Sequence, residues 1–126
     1  MKSLIFGAGS IGLRHGQILN ELNIDVAFIT KRTDLEYNSY FKMDQINISN
    51  YDYFIIANET LYHYETLKKL TALVQNKIIL IENPLFMESG FLDIKNNKCY
   101  VGYNLRFHPI VECIKENLIN DDILSI

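Results

Sequence analysis

The sequence predicts a single doubly wound α/β domain with a mostly parallel sheet, and three observations lead to this fold class. Short apolar runs alternate along the chain with helix-like periodic segments, which is typical of successive βαβ units. A glycine-rich turn joins the first strand pattern to the first helix pattern. The chain has 126 residues and shows neither a linker nor an internal repeat, so its length suits one domain.

The first three elements form a strand–helix–strand unit. Residues 2–6 are a short apolar run stopped by glycine, which predicts a buried strand. Residues 10–22 have helical periodicity, and residues 25–30 are a second apolar run. The apolar side chains expected on the buried face of the helix are Ile11, Ile18, Leu19 and Leu22.

The middle of the chain begins with the polar, irregular segment 31–50, in which a short strand is predicted near 40–43. Residues 53–57 (Tyr-Phe-Ile-Ile-Ala) predict a strong buried strand. Residues 60–74 follow with helical spacing, and Thr60 offers an N-cap oxygen. The residues expected on the buried face of this helix are Leu67, Leu70 and Val74.

The last third adds two strands, at 77–81 and 99–103, with a short helix or turn expected between them at 86–95. A final helix is predicted over 109–118, with proline in its first turn. Parallel sheets of this kind are covered on both faces, and their ligands bind beyond the carboxyl ends of the strands. Functional residues are therefore sought directly after each strand.

Gly7-Ala8-Gly9-Ser10-Ile11-Gly12 forms a G-x-G-x-x-G motif between a strand and a helix, where this motif binds dinucleotides. Gly7 permits the tight turn, Gly9 lets a pyrophosphate approach the backbone, and Gly12 allows close helix–strand contact. The N–H groups at Ser10 and Ile11 would face the anion along the helix dipole. The alternative is a glycine turn that only packs the βα unit.

The end of the second strand favours NADP as the cofactor, with NAD possible. An Asp or Glu about 20 residues past the glycines would bind the ribose hydroxyls of NAD. This sequence instead has Thr30, Lys31 and Arg32 at the end of the strand, and the first carboxylate after them is Asp34. One hydroxyl and two cations suit a 2′-phosphate. The alternative is a solvated basic turn.

Composition excludes several partner classes. Twelve basic and fifteen acidic residues give a net charge of −3, which argues against a nucleic-acid or acidic-membrane surface. No apolar stretch approaches the roughly 20 residues of a membrane span, and the N-terminus lacks signal-peptide features. We therefore expect a cytoplasmic protein with Cys99 and Cys113 as thiols, no metal site, and possible homo-oligomers.

Four segments together resemble the glucose–fructose oxidoreductase / inositol dehydrogenase / rhizopine catabolism (Gfo/Idh/MocA) family. Residues 7–15 are similar to its cofactor loop, and 57–63 to its Ala-Thr-Pro-x-x-x-His segment. Residues 81–85 are similar to its Glu-Lys-Pro motif, and 102–109 to its Gly-Tyr-Asn-x-Arg-Phe-x-Pro motif. Their order and spacing also match, and the similarity is greatest to members from surface-polysaccharide and sialic-acid-like pathways.

The resemblance implies that residues 1–120 are an NAD(P)-binding Rossmann domain. Residues 121–126 would then be a stub of a second, α+β substrate domain that this chain lacks. It also implies an oxidoreductase that acts on the hydroxyl of a sugar or nucleotide sugar. A dinucleotide would be the partner of this domain, and a sugar-type molecule would bind only with a second domain present.

The resemblance also supplies site residues, with one departure. The catalytic lysine of the family is replaced by Asn83, which cannot titrate or carry charge. His63 and Asn83 are therefore the only catalytic candidates, and we expect no activity from the isolated chain. Further candidates for cofactor binding are Asn58, Glu59, His63, Glu82, Asn83 and Asn104. The alternative function is a non-catalytic dinucleotide-binding or sensing module, or a truncated remnant.

Three charged or titratable side chains have a structural interpretation beside a functional one. His63 could be a solvent-facing residue at the start of a helix, His15 is expected to be a packing or surface residue, and Arg106 would either face a substrate cleft or be simply exposed.

Overall fold

A computed structural model of the chain describes residues 1–117, except for the side chains at 105, 106 and 117. The predicted stub at 121–126 lies outside the described residues, as does the last residue of the predicted final helix. Within residues 1–117, six strands and three α-helices form one α/β unit, which confirms the predicted fold class. The strands are β1 (Lys2–Phe6), β2 (Asp25–Ile29), β3 (Asn38–Tyr40), β4 (Tyr53–Ile56), β5 (Ile78–Glu82) and β6 (Lys98–Gly102). The helices are α1 (Ser10–Glu21), α2 (His63–Leu73) and α3 (Pro109–Asn117).

All five strand pairings are parallel, and the strand order is β3-β2-β1-β4-β5-β6. The chain winds outward from β1 to β3, returns to pair β4 with β1, and then continues to β6. The order therefore reverses between β1 and β4. The crevice outside the carboxyl ends of these two strands is where open α/β sheets bind ligands.

Two apolar clusters fill the two faces of the sheet. The first lies under α2 and includes Phe54 and Ile79, together with Leu67 and Leu70 from the helix. Leu67, Leu70 and Val74 are all buried, as the helical periodicity predicts. The second cluster lies under α1 and is centred on Ile5, Phe28 and Ile55. Burying these side chains supplies the main driving force for the fold, at roughly 1.5–3 kcal/mol for each large residue.

The buried face of α1 differs from the predicted one. Ile18 and Leu22 are 45% and 64% exposed, and Ile11 faces the crevice, so only Leu19 of the expected set is buried. The helix instead packs through Gly12 and Gly16. A Cβ on Gly16 would lie 2.7 Å from the ring of Phe28. Close approach of the helix to the sheet, rather than an apolar stripe, therefore fixes α1 in place.

Two further predictions need local correction. The short strand β3 comes two residues earlier than the predicted 40–43. Thr60 does not cap α2, because residues 60–62 form a 3₁₀ turn and α2 begins only at His63. Of the short helix or turn expected at 86–95, the structure has bends and a turn. Within residues 1–117, no helix is long and apolar enough to cross a membrane, and Cys99 and Cys113 form no disulfide.

Candidate functional site

An open groove of about 1740 Å³ lies at the point where the strand order reverses. The glycine loop after β1 forms one wall, and the segment 57–59 after β4 forms another. The end of β2, the irregular segment 41–49 and one side of α2 complete the lining. The groove thus collects the segments that follow four strands, β1 to β4, as expected for a ligand site in this fold.

The three loop glycines have three different environments. Gly7 has a φ of +95°, and a Cβ there would lie 2.6 Å from the Cα of Asn58. A Cβ on Gly12 would lie 2.1 Å from the carbonyl oxygen of Gly7. Around Gly9, in contrast, nothing lies within 4 Å of the Cβ position. The fold therefore requires Gly7 and Gly12, whereas it leaves open space beside Gly9.

That open space adjoins the N-terminus of α1. Gly9 is the N-cap residue, and no side chain caps it. The first turn of α1 contains no acidic residue. The N–H groups of a helix's first turn have no partner within the helix and carry partial positive charge, so they bind anions. The loop therefore fits the pyrophosphate of a dinucleotide, with room at Gly9 and donors at Ser10 and Ile11.

Basic side chains slightly outnumber acidic ones along the groove. The cations of the lining are Lys31, Arg32, Lys42 and Lys69, and the carboxylates are Asp44, Glu59 and Glu65. Lys42 and Lys69 lie outside the four motifs that predict site residues. Because Arg32 is paired with Asp34, the side chains of the lining are close to neutral in sum, and the preference for an anion comes from the N-terminus of α1. Within residues 1–117, no cluster of three or more His, Cys, Asp or Glu side chains could hold a metal ion.

Arg32 is not a free cation. Its Nε and Nη2 donate to Oδ1 and Oδ2 of Asp34 at 2.9 and 2.7 Å, and its Nη1 donates to the carbonyl oxygen of Ala8 at 2.9 Å. The carboxylate raises the pKa of Arg32, and the guanidinium lowers the pKa of Asp34. The arginine thus bridges the end of β2 and the glycine loop, and Asp34 neutralises its charge.

His63 is a buried structural residue in the fold, and it is 1% exposed. Its Nε2 is 2.9 Å from the carbonyl oxygen of Asn58, and its Nδ1 is 3.0 Å from that of Pro84 and 3.2 Å from that of Leu85. The solvent-facing alternative is therefore wrong, and the imidazole does not line the groove. It is a positioning residue that joins the loops after β4 and β5.

Asn58 lines the groove and is held from both sides. Besides the contact of its carbonyl with His63, its side-chain Nδ2 donates to Oγ1 of Thr66 at 2.9 Å. Its Oδ1 is buried without a hydrogen-bond partner among the described residues. The floor of the groove after β4 is therefore fixed by α2, through His63 and Thr66.

Glu82 pairs with a residue that the sequence analysis expected only to pack. Its Oε1 lies 2.6 Å from Nε2 of His15 on α1, and the two side chains are only 14% and 24% exposed. A Cβ on Gly102 would lie 3.2 Å from the same carboxylate, so the glycine at the end of β6 makes room for it. The His15–Glu82 pair thus links α1 to the carboxyl end of β5, outside the groove lining.

The remaining predicted residues lie beyond the groove. Asn83 is exposed and precedes Pro84 through a cis peptide bond, and Asn104 is exposed at the start of a 3₁₀ turn. The side chain of Arg106 lies outside the described residues. The structure therefore brings one subset of the predicted residues into a single groove. That subset is Gly7, Gly9, Ser10, Ile11, Thr30, Lys31, Arg32, Asn58 and Glu59.

Several solved structures have the same fold as this chain. No family model and no curated protein matches the sequence. Solved structures, in contrast, match over nearly the whole chain. The oxidoreductase yvaA from Bacillus subtilis has 21% identity and a TM-score of 0.75 over 94% of this chain and 39% of its own. The WlbA (WbpB) dehydrogenase from Thermus thermophilus, in complex with NAD and UDP-GlcNAcA, has 20% identity and a TM-score of 0.74 over 94% and 46%.

A third structure, myo-inositol 2-dehydrogenase from Lactobacillus plantarum, has 20% identity and a TM-score of 0.71 over 100% of this chain and 43% of its own. This chain has the fold of these dehydrogenases. These proteins are of the Gfo/Idh/MocA type, which is also the family that the four sequence motifs resemble. The fold therefore confirms the resemblance. The chain spans less than half the length of these solved chains.

Proposed function

We propose that this chain is the dinucleotide-binding domain of a Gfo/Idh/MocA-type oxidoreductase that acts on the hydroxyl of a sugar or nucleotide sugar. One observation carries the proposal. The glycine turn is too tight for a side chain at Gly7 and Gly12 but open at Gly9, and that opening faces the bare N-terminus of α1. A turn that served packing alone would need no open space there.

The groove residues would hold the cofactor as follows. The N–H groups of the first turn of α1 would bind the pyrophosphate. Thr30–Arg32 would lie toward the adenosine ribose, and Asn58 and Glu59 would lie beside the nicotinamide half. When bound, the nicotinamide supplies a carbon that accepts or donates hydride. The groove cations would attract the anionic cofactor, and His63 would keep Asn58 in place through its carbonyl.

The proposed domain organisation assigns residues 1–120 to cofactor binding and 121–126 to the start of a substrate domain. Acid–base chemistry on the sugar hydroxyl would then need groups from that second domain. Within this chain, Asn83 carries no charge, and both ring nitrogens of His63 face backbone carbonyls. We propose that the chain by itself binds cofactor without turning over substrate.

A second candidate function is a dinucleotide-binding or sensing module without hydride transfer. Asn83 and the engaged His63 favour it, since neither candidate catalytic residue offers a free proton acceptor. The dehydrogenase likeness of the whole fold favours the first candidate. A surface-polysaccharide pathway and a cytoplasmic location remain part of the proposal. The pathway rests on the motif resemblance, and the location is the expectation that the sequence gives.

Titration calorimetry with NAD, NADP and ADP-ribose tests the proposal on the 126-residue chain. At least one of the two dinucleotides and ADP-ribose are expected to bind, because the groove contacts involve the nucleotide half of the cofactor. Absorbance of reduced nicotinamide, followed with a panel of sugars and nucleotide sugars, is expected to show no turnover. Absence of binding by all three ligands would overturn the proposed function, and steady turnover would overturn the proposed inactivity.

A further inference from the structure

The Arg32–Asp34 pair controls what the end of β2 can offer to a ligand. A guanidinium has five N–H donors, of which Asp34 takes two and the carbonyl of Ala8 takes one. The pair is bidentate, with both distances below 3 Å, which is the geometry of a charge-assisted fork. Arg32 lines the groove, so this fork lies at its edge.

The carboxylate changes the electrostatic character of this end of the groove. A 2′-phosphate needs Arg32 as a partner, and it would find only the two N–H donors that Asp34 and Ala8 leave, on a guanidinium whose charge Asp34 already offsets. It would also bring a second group of negative charge beside the Asp34 carboxylate. A 2′-hydroxyl needs no cation, and it can donate a hydrogen bond to a carboxylate oxygen while the ion pair stays intact.

We infer that Asp34 is a specificity-determining residue that makes this site select NAD over NADP by occupying Arg32. The inference rests on the proposed dinucleotide-binding function and deepens it. It reverses the preference for NADP that the sequence predicts from Thr30, Lys31 and Arg32. That prediction counted Arg32 as an available cation, whereas the fold places Asp34 against it.

The remaining cation of this segment does not restore the preference. Lys31 lines the groove, but an ammonium is a point charge that cannot give the planar two-bond contact of a guanidinium. Thr30 brings no positive charge, and its Oγ1 accepts from the backbone N–H of Arg32 at 3.2 Å. The choice between the two cofactors therefore depends chiefly on whether Asp34 holds Arg32.

Calorimetric titration of NAD and NADP into the parent chain and the Asp34→Asn variant tests the inference. Asp34 is 66% exposed, so the substitution should leave the fold intact. The parent is expected to bind NAD more tightly. The variant is expected to gain about tenfold or more in NADP affinity, because Arg32 becomes free for a charge-assisted bond to phosphate. In that background, Arg32→Ala is expected to remove the gain.

Glu36→Gln is the matched control, since it removes one exposed negative charge two residues away. It is expected to leave the ratio of the two affinities unchanged. The inference is overturned if the parent binds NADP at least as tightly as NAD, or if Asp34→Asn and Glu36→Gln shift the ratio equally. Continued binding of ADP-ribose in either case would leave the proposed function standing. Failure of NAD, NADP and ADP-ribose to bind the parent would overturn both.

Discussion

The two halves of the sheet's carboxyl edge differ in how many polar groups they leave free to contact a ligand. Beyond β1 to β4 lies an open groove with bare helix N–H groups. Beyond β5, two ionisable side chains among the predicted site residues are already engaged. Glu82 is bonded to His15, and His63 is surrounded by the carbonyls of Asn58, Pro84 and Leu85.

This difference separates binding from chemistry. The half beyond β1 to β4 has the space and the donors that a bound anion needs. The half beyond β5 has internal contacts instead of a free acid or base among the predicted site residues. Under the proposed function, such a domain would hold a cofactor, and the proton transfer would need groups from elsewhere, in line with Asn83 at the position of the lysine in the motif that residues 81–85 resemble.

The largest expected effect separates the two kinds of glycine. Gly7→Ala should destabilise the fold by about 2–5 kcal/mol, because it combines a positive φ with a Cβ 2.6 Å from the Asn58 backbone. Gly9→Ala should cost less than about 1 kcal/mol, since nothing lies near its Cβ position. Urea unfolding measures both values. Equal destabilisation of the two variants would break the distinction between packing and binding glycines.

Substitution of His63 tests whether its contacts stabilise the loops after β4 and β5. His63→Ala should lower the free energy of unfolding by about 2–4 kcal/mol, because it leaves a cavity and removes the buried imidazole that lies between the carbonyls of Asn58, Pro84 and Leu85. His63→Gln keeps one donor and is expected to lose less. If chemical denaturation showed that the alanine variant is as stable as the parent, the positioning role would be incorrect.

The smallest expected effect is a change at alkaline pH. Burial, and then the charge of Glu82, raises the pKa of Tyr53 above its ordinary value of 10. The unfolded chain therefore releases this proton first. The stability due to the neutral phenol is present below about pH 10 and is lost as the pH rises through the folded pKa.

Tyr53→Phe should accordingly lose less stability than the parent between about pH 9 and about pH 11, by less than about 1 kcal/mol. Thermal unfolding at a series of pH values measures this difference. Tyr62→Phe, at a half-exposed tyrosine, is the control. The same pH profile for the parent and Tyr53→Phe would show that Glu82 and burial do not act on Tyr53 as described.

The parts of the molecule that the sequence predicted are those set by local pattern. Apolar runs located five strands, because burial on both faces of a parallel sheet needs continuous apolar residues. The glycine spacing located the groove. The sequence did not show that α1 packs through Gly16 on Phe28, since that depends on the distance between helix and sheet.

Side-chain pairs were also beyond the sequence. His15 and Glu82 are 67 residues apart and meet only because α1 crosses toward the end of β5. Asp34 was visible two residues after Arg32, but an irregular segment has no periodicity from which a contact can be inferred. Lys69 reached the groove through the orientation of α2. The sequence predicted that these elements exist, but the contacts depend on how the elements are arranged in three dimensions.

If the glycine loop binds a dinucleotide through the open space at Gly9, a side chain at this position should block the ligand. ADP-ribose is titrated into the parent chain and into Gly9→Val, with circular dichroism and urea unfolding as checks of the fold. We expect Gly9→Val to stay folded, because its side chain enters open space, and to lose at least about tenfold in affinity, because the pyrophosphate is proposed to lie in that space. A folded Gly9→Val chain that binds ADP-ribose as tightly as the parent would contradict the claim.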